Sequence, residues 1–222
     1  MFGMDGSGKT LMAKLVAAKL RSRGKKVRII WLKSVHTIAY LMSLVLMRAG
    51  SWETIVNPRG HTVRRLRIPR RAKKVWLFIE FAGLLPSLFA KVYVPTMLRY
   101  EIVADRFLMD TIVSIAIRIG DQSFPDCFLS KVLMSLIPRR SLLIHLDVDV
   151  QDVLYRRPHI EYTHTEIRQQ IAWYSMLARR LSAHSIDTSS ADVRETFIAI
   201  SNLISSAVTR QSSLPLTNMR VP

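Results

Sequence analysis

The order of apolar and polar residues predicts helices and strands in alternation. After an opening glycine-rich turn over residues 3–10, Leu11, Met12, Leu15, Val16 and Leu20 recur at helical spacing over residues 9–23, and Gly24 supplies a stop. Val27-Arg28-Ile29-Ile30-Trp31-Leu32 then reads as a strand, rich in β-branched and aromatic residues. Residues 36–49 read as an apolar helix ending at Gly50, and residues 75–98 as a helix bent or broken at Pro86 and again near Pro95. A short strand over 101–105 ends in an acid, with helices expected over 106–119 and 125–137. A second apolar run, 141–147, also ends in an acid and precedes a short helix over 150–157. The longest amphipathic pattern covers 163–181, with Ile167, Ile171, Tyr174, Ala178 and Leu181 on one face. A last short strand over 184–187 leads to a helix over 191–208 striped by Val193, Phe197, Ile200 and Ile204, and then to a polar tail, 211–222, expected to be mobile. No internal repeat or low-complexity tract interrupts this order. Strands that alternate with helices predict an α/β fold: a parallel sheet with helices on both faces.

Composition narrows the setting. A chain of 222 residues with 49% hydrophobic content is long and apolar enough to form one globular domain and is not a mainly disordered chain. The single cysteine, Cys127, excludes an internal disulfide framework and a cysteine-based zinc cluster, and a reduced, cytoplasmic setting fits best. The net charge of +17 favours anionic partners: nucleotides, nucleic acid or acidic lipid headgroups. Much of it is concentrated in Arg59, Arg64, Arg65, Arg67, Arg70, Arg71, Lys73 and Lys74, punctuated by Pro58, Gly60 and Pro69, where a loop with a short helix is expected. Such a stretch suits an anionic membrane surface or RNA phosphate. Two apolar runs invite a membrane test. Residues 38–47 are too few to span about 30 Å of hydrocarbon. Residues 75–98 are numerous enough but contain Glu80, Pro86, Lys91 and Pro95, so they are read as a buried or interfacial helix.

The strongest chemical signal is Gly3-Met4-Asp5-Gly6-Ser7-Gly8-Lys9-Thr10, which follows the pattern G-x-x-x-x-G-K-[ST]. Its glycines let backbone N–H groups curl around phosphate oxygens, and the helix that follows turns its positive end to the same anion. Lys9 is placed to meet the β- and γ-phosphates of ATP and to face solvent in the free protein; Thr10 offers a hydroxyl to Mg²⁺. Only Met1 and Phe2 precede Gly3, so about four to eight further apolar residues are expected upstream in the native chain, a typical strand length. A second constellation is Asp105-Arg106-Phe107. An acid ending an apolar strand beside a phosphate loop faces the metal, and the planar fork of Arg106 suits a substrate phosphate. Asp147 ends another apolar run, and either it or Asp149 caps the next helix. Arg156 and Arg157, followed by Pro158, are candidates to neutralise a transferring phosphoryl group from a lid over about 155–165, and Arg168 is a further candidate. His159, His164 and His184 lack metal-ligand spacing and are read as ordinary polar residues.

Taken together, these residues resemble the thymidylate kinase family of P-loop kinases. The resemblance rests on the glycine loop, on Asp105-Arg106-Phe107, on Leu146-Asp147-Val148 followed by Arg156-Arg157, and on Ile186-Asp187-Thr188. It implies one P-loop kinase domain over residues 1–222, of the three-layer P-loop NTPase type. It implies transfer of a phosphoryl group from ATP, with Mg²⁺, to a nucleoside monophosphate, in the default case dTMP to dTDP, by a chain that forms a homodimer. By position, Gly3 to Thr10 bind the ATP phosphates. Asp5 meets the acceptor sugar hydroxyl, Arg106 the acceptor phosphate, and Phe107 lies beside the acceptor base, in a pocket with Trp76 or Phe81. Thr10 and Asp105 place the metal, while Lys9, Asp105, Arg106, Arg156 and Arg157 serve catalysis. The family's T-R-E-P-G-G-T segment is replaced by Lys33-Ser34-Val35-His36-Thr37, and the acceptor-side region, about 36–98, is apolar and basic instead. Two other readings follow from that departure: a P-loop kinase for a different acceptor, or a nucleotide-binding module that docks on a membrane or RNA through its basic stretch.

Overall fold

A computed structural model of the chain describes residues 1–32, 37–189 and 191–212. In chain order the elements are helix α1 (Lys9–Ser22), strand β1 (Val27–Trp31), helix α2 (Thr37–Arg48), strands β2 (Trp52–Val56) and β3 (Thr62–Leu66), helix α3 (Lys73–Leu88), short helix α4 (Val94–Met97), strand β4 (Glu101–Arg106), helices α5 (Leu108–Ile119) and α6 (Phe128–Ser135), strand β5 (Ile144–Asp147), helices α7 (Val150–Arg156) and α8 (His164–Arg180), strand β6 (His184–Asp187) and helix α9 (Val193–Ser212). Lys33 to His36, which stand where the family's acceptor segment was sought, lie outside the described residues. So do residues 213–222 of the expected tail, whose first two residues, 211–212, are the end of α9.

The sheet is built from two parallel pairs, β1 with β4 and β5 with β6. Residues 1–2 join them. The Met1 nitrogen donates to Ala104 O at 2.9 Å, Phe2 N donates to Ile144 O at 3.0 Å, and Leu146 N donates to Phe2 O at 2.9 Å. The order across the sheet is therefore β1, β4, residues 1–2, β5, β6, and the phosphate-type loop leaves its centre. Side chains alternate across the strands, so each face has its own apolar layer. On one face Met12, Ala13, Val16 and Ala17 of α1 and Ile200 of α9 pack on Val27, Val103, Ile144 and Leu146. On the other, Phe2 and Ile30 meet Leu108 and Ile112 of α5, Tyr174 and Leu177 of α8, and Trp76 and Leu84 of α3. This is the three-layer α/β arrangement expected from the alternation of elements.

Three local expectations are corrected. First, the basic stretch 59–74 holds the expected short helix, a 3-10 turn over Arg70–Ala72, but its residues 62–66 are not loop: they form an antiparallel hairpin with residues 52–56, with Trp52 opposite Leu66 and Val56 opposite Thr62. Its turn is fixed by Asn57, whose Oδ1 accepts from Arg59 N at 3.0 Å and His61 N at 2.9 Å. Second, α3 is not broken at Pro86 but continues to Leu88, and a π-helical turn over Phe89–Tyr93 carries the chain into α4. Proline removes the N–H that would bond Ala82 O, and exposed Ala82 lies on the solvent side of the helix, where such a loss costs least. Third, β4 continues through Arg106, and α5 starts at Leu108. Of the two acids expected to cap α7, Asp149 does so: its Oδ1 accepts from Gln151 N at 2.8 Å and Asp152 N at 3.3 Å. The helical stretch Arg70–Met97 is long and apolar enough to cross a membrane, with a mean hydropathy of 1.6 over an 18-residue window. One side of it is nonetheless packed into the domain through Trp76, Leu84, Leu88 and Val92, and its buried Glu80 pairs with Arg118 of α5 at 3.5 Å.

Candidate functional site

The glycine loop turns through backbone conformations that favour glycine. Gly3, Gly6 and Gly8 have φ of +146°, +98° and +86°. At Gly3 space forbids a side chain as well, because a Cβ would sit 2.3 Å from Leu146 O on β5. At Gly8, the N-cap of α1, a Cβ would meet nothing within 4 Å, so the loop opens outward there. Ser7 is buried, and its Oγ has no hydrogen-bond partner among the described residues. An orphan hydroxyl, an open glycine and a helix N-terminus in one loop fit a phosphate chain.

Lys9 departs from expectation. It is 4% exposed, and its Nζ donates to Gly3 O and Met4 O, both at 2.7 Å. The ammonium folds back under the loop because two carbonyls point inward and Asp5 Oδ1 lies 3.8 Å away. Thr10 and Asp105 meet as expected: Thr10 Oγ1 donates to the Asp105 carboxylate, 2.8 Å from Oδ2 and 3.1 Å from Oδ1. α1 and the end of β4 thus bring together one hydroxyl and one buried carboxylate, a hard-oxygen pair of the kind that binds Mg²⁺.

Beside them, Arg106 Nη1 reaches Asp5 Oδ1 at 2.7 Å. Burial works against the Arg106 charge, but the Asp5 and Asp110 carboxylates hold its pKa above the ordinary arginine value. Asp110 is fully buried; its Oδ2 accepts from Phe107 N at 3.0 Å, and its Oδ1 accepts from the Tyr174 hydroxyl at 3.2 Å. Burial pushes Asp110 above the usual carboxylate range, against the pull of Lys9. Burial, reinforced by Asp110 and Asp5, pushes Tyr174 well above the usual phenol range. Tyr162 is pushed up to about 12, again by burial and then by Asp5. Sequence reasoning missed Asp110 as a site residue. Its signal was an acid three residues after Phe107, where a side chain turns back to bond the start of a helix.

Arg156 ends α7 over the loop, and Arg157 follows it. Arg156 donates to Thr188 O at 2.8 Å and to Gly6 O at 3.4 Å, and pairs with Asp152 at 3.5 Å. A Cβ on Gly6 would lie 3.4 Å from Arg157 Cγ. Phe107 is buried in the apolar layer that also holds Trp76. Arg168 is exposed on α8. A different cavity, of about 250 Å³, lies away from the loop and is lined by Arg65, Arg67, Arg70, Lys73, Arg118 and Glu166, among others.

The sequence matches no family model and no curated protein. Among solved structures the chain is similar to thymidylate kinase from Ehrlichia chaffeensis, with a TM-score of 0.55 and 18% identity, covering 92% of this chain and 95% of that one. The fold, read above from its sheet order and its glycine loop, is accordingly the thymidylate kinase-like P-loop fold.

Proposed function

We propose that this chain transfers the γ-phosphoryl group of MgATP to the phosphate of a nucleoside monophosphate, with dTMP the acceptor that the resemblance favours. The observation that carries the reading is the meeting of Thr10 with Asp105, next to a glycine loop that holds Lys9 and beside the Asp5–Arg106 pair. Thr10 and Asp105 would hold the magnesium ion, which when bound screens the charge of the phosphate oxygens. Ser7, Gly8 and the N-terminus of α1 receive the donor phosphates, and Lys9 exchanges its carbonyl partners for them. Arg106 binds the acceptor phosphate, and Asp5 keeps that guanidinium in place while accepting from the acceptor sugar. An acceptor oxygen attacks the γ-phosphorus, the bond to the bridging oxygen breaks, and ADP leaves. The chemistry needs little covalent help, so positioning and charge neutralisation dominate. Arg156 and Arg157, over Gly6, supply the neutralising charge from the far side of the loop.

The test is ADP release from MgATP across a panel of nucleoside monophosphates, with Lys9→Met and Thr10→Ala as controls and thermal melting to verify their fold. Turnover of dTMP supports the reading. ATP binding without turnover of any nucleotide overturns it. That result would favour the second reading, a P-loop kinase for another phosphate or alcohol, which the hairpin and apolar α3 on the acceptor side support.

A further inference from the structure

Helices α2 and α3 pack against each other, and each leaves an apolar stripe uncovered. On α3 and at the start of the π-helical turn that continues it, the exposed residues Val75, Phe78, Ala82, Leu85 and Phe89 follow one another at steps of three and four, which places them on one face. Phe78 is 74% and Phe89 59% exposed. On α2, Tyr40, Leu41, Leu44 and Val45 form the corresponding stripe, with Leu41 62% exposed. Large aromatic and aliphatic side chains gathered this way are unusual on a surface that meets only water. The border is cationic. Arg48, Arg71, Lys74 and Lys91 are all exposed, and Lys91 reaches the backbone of the half-exposed Trp31, 3.4 Å from its O.

We propose that this α2–α3 face docks on an anionic lipid bilayer, the stripes entering the headgroup region and the bordering cations meeting lipid phosphates. Charge decides between occupants. Residues 37–100 contain eleven Lys and Arg against two Asp and Glu. Both acids are already engaged, Glu53 with Arg65 and Arg67, and Glu80 with Arg118. A second copy of the chain would bring a matching basic border against this one with no carboxylates to offset it. An anionic bilayer takes both features at once: apolar side chains settle at the acyl boundary, and each cation near the surface gains attraction. RNA would satisfy the cations and could stack on Phe78 and Phe89, but it would leave the aliphatic Leu41, Val45, Val75 and Leu85 nothing to bury against.

Docking requires neither nucleotide nor acceptor, so it is tested apart from catalysis. The full chain, without nucleotide, is floated with vesicles of phosphatidylcholine containing about one-third phosphatidylglycerol, and with pure phosphatidylcholine. The expected result is co-flotation with the anionic vesicles, and partition weaker by about tenfold or more on the neutral ones. Paired Phe78→Ser and Phe89→Ser, and separately paired Arg71→Glu and Lys74→Glu, each lower partition about tenfold at unchanged melting temperature. All four residues are exposed, so the two variants keep the fold independently. Failure to float at low salt overturns the proposal, as does undiminished binding by the serine pair. A dimer in sedimentation that the serine pair dissociates, with no vesicle binding, assigns the face to a second copy instead. Binding of an RNA oligonucleotide that survives the serine pair and displaces the vesicles assigns it to RNA.

Discussion

Arg106 Nη1 lies 2.7 Å from Asp5 Oδ1, and Lys9 Nζ is 3.8 Å from the same oxygen. One loop carboxylate therefore faces a cation from the strand end and another from the first turn of α1. Asp5→Asn keeps the shape and removes the charge. It is expected to raise the acceptor KM about tenfold while changing the ATP KM less than about twofold, since in the proposed reaction the donor phosphates meet Ser7, Gly8 and Lys9 rather than Asp5. Initial rates with each substrate varied in turn check this. An equal effect on both would show that Asp5 holds the loop as a whole.

Two glycines of the loop separate steric need from conformational need. Gly3→Ala drives a Cβ into Leu146 O at 2.3 Å and is expected to cost about 3 kcal/mol, a melting-temperature drop of about 10 °C in a chain of this size. Gly8→Ala meets open space and carries only the strain of φ +86°, so it is expected to cost about 1 kcal/mol while weakening nucleotide binding where the loop opens. Melting curves of the two variants, with and without MgATP, give the comparison. Equal melting temperatures would mean that β5 yields to the added methyl group.

Arg65 ties the hairpin to the start of α8. Its Nη1 donates to Glu166 Oε2 at 3.0 Å and its Nη2 to Glu53 Oε1 at 3.2 Å. Burial opposes the Glu166 charge, yet the hydrogen bonds from Arg65 and Thr163 hold it below the usual carboxylate range. Arg65→Ala leaves two partly buried carboxylates together and is expected to cost about 2 kcal/mol, or about 5 °C in melting temperature. Arg65→Lys recovers only part of this, because an ammonium lacks the fork that serves both acids. A loss below about 1 °C on Arg65→Ala would show that the pair adds nothing.

His145 makes stability depend on pH. It is buried, its ring centroid 5.3 Å from that of Phe2, with Nδ1 3.1 Å from Ser185 Oγ. Burial pushes its pKa below the ordinary 6.5, although Asp147 pulls the other way. Just below pH 6.5 the unfolded chain takes up a proton that the folded chain refuses. Stability therefore falls as pH drops through this window and is fully present above it. Urea midpoints measured from about pH 8 to pH 5.5 should decline in the parent chain and decline less in His145→Gln. Parallel declines would place the proton uptake elsewhere.

The glycine loop and the acid beside it were legible because the pattern that marks them is local. Gly3 to Thr10 form one continuous motif, and Asp105-Arg106 end an apolar run. The alternation of elements likewise gave the parallel sheet with helices on both faces. What escaped was set by distant partners. The strand pattern of Trp52 to Val56 and Thr62 to Leu66 was masked by its arginines, one of which, the partly buried Arg65, is paired with Glu53 and with Glu166, a hundred residues away. Pro86 reads as a break, but its cost depends on whether the orphaned carbonyl meets water, which sequence does not tell. The burial of Lys9 has no sequence signal, since it depends on which way the carbonyls of Gly3 and Met4 point.

The backbone of Phe2 forms a seam of the sheet with β5. Phe2 N donates to Ile144 O at 3.0 Å, and Phe2 O accepts from Leu146 N at 2.9 Å. The phosphate loop begins at the very next residue, so a ligand gripped by that loop braces the seam. Opening of the seam and release of nucleotide are then linked equilibria, and bound ligand raises the opening free energy by RT ln(1 + [L]/Kd). The amides of Phe2 and Leu146 report it directly. Their hydrogen exchange should slow in proportion to nucleotide occupancy, while amides within α9 on the outer layer stay unchanged.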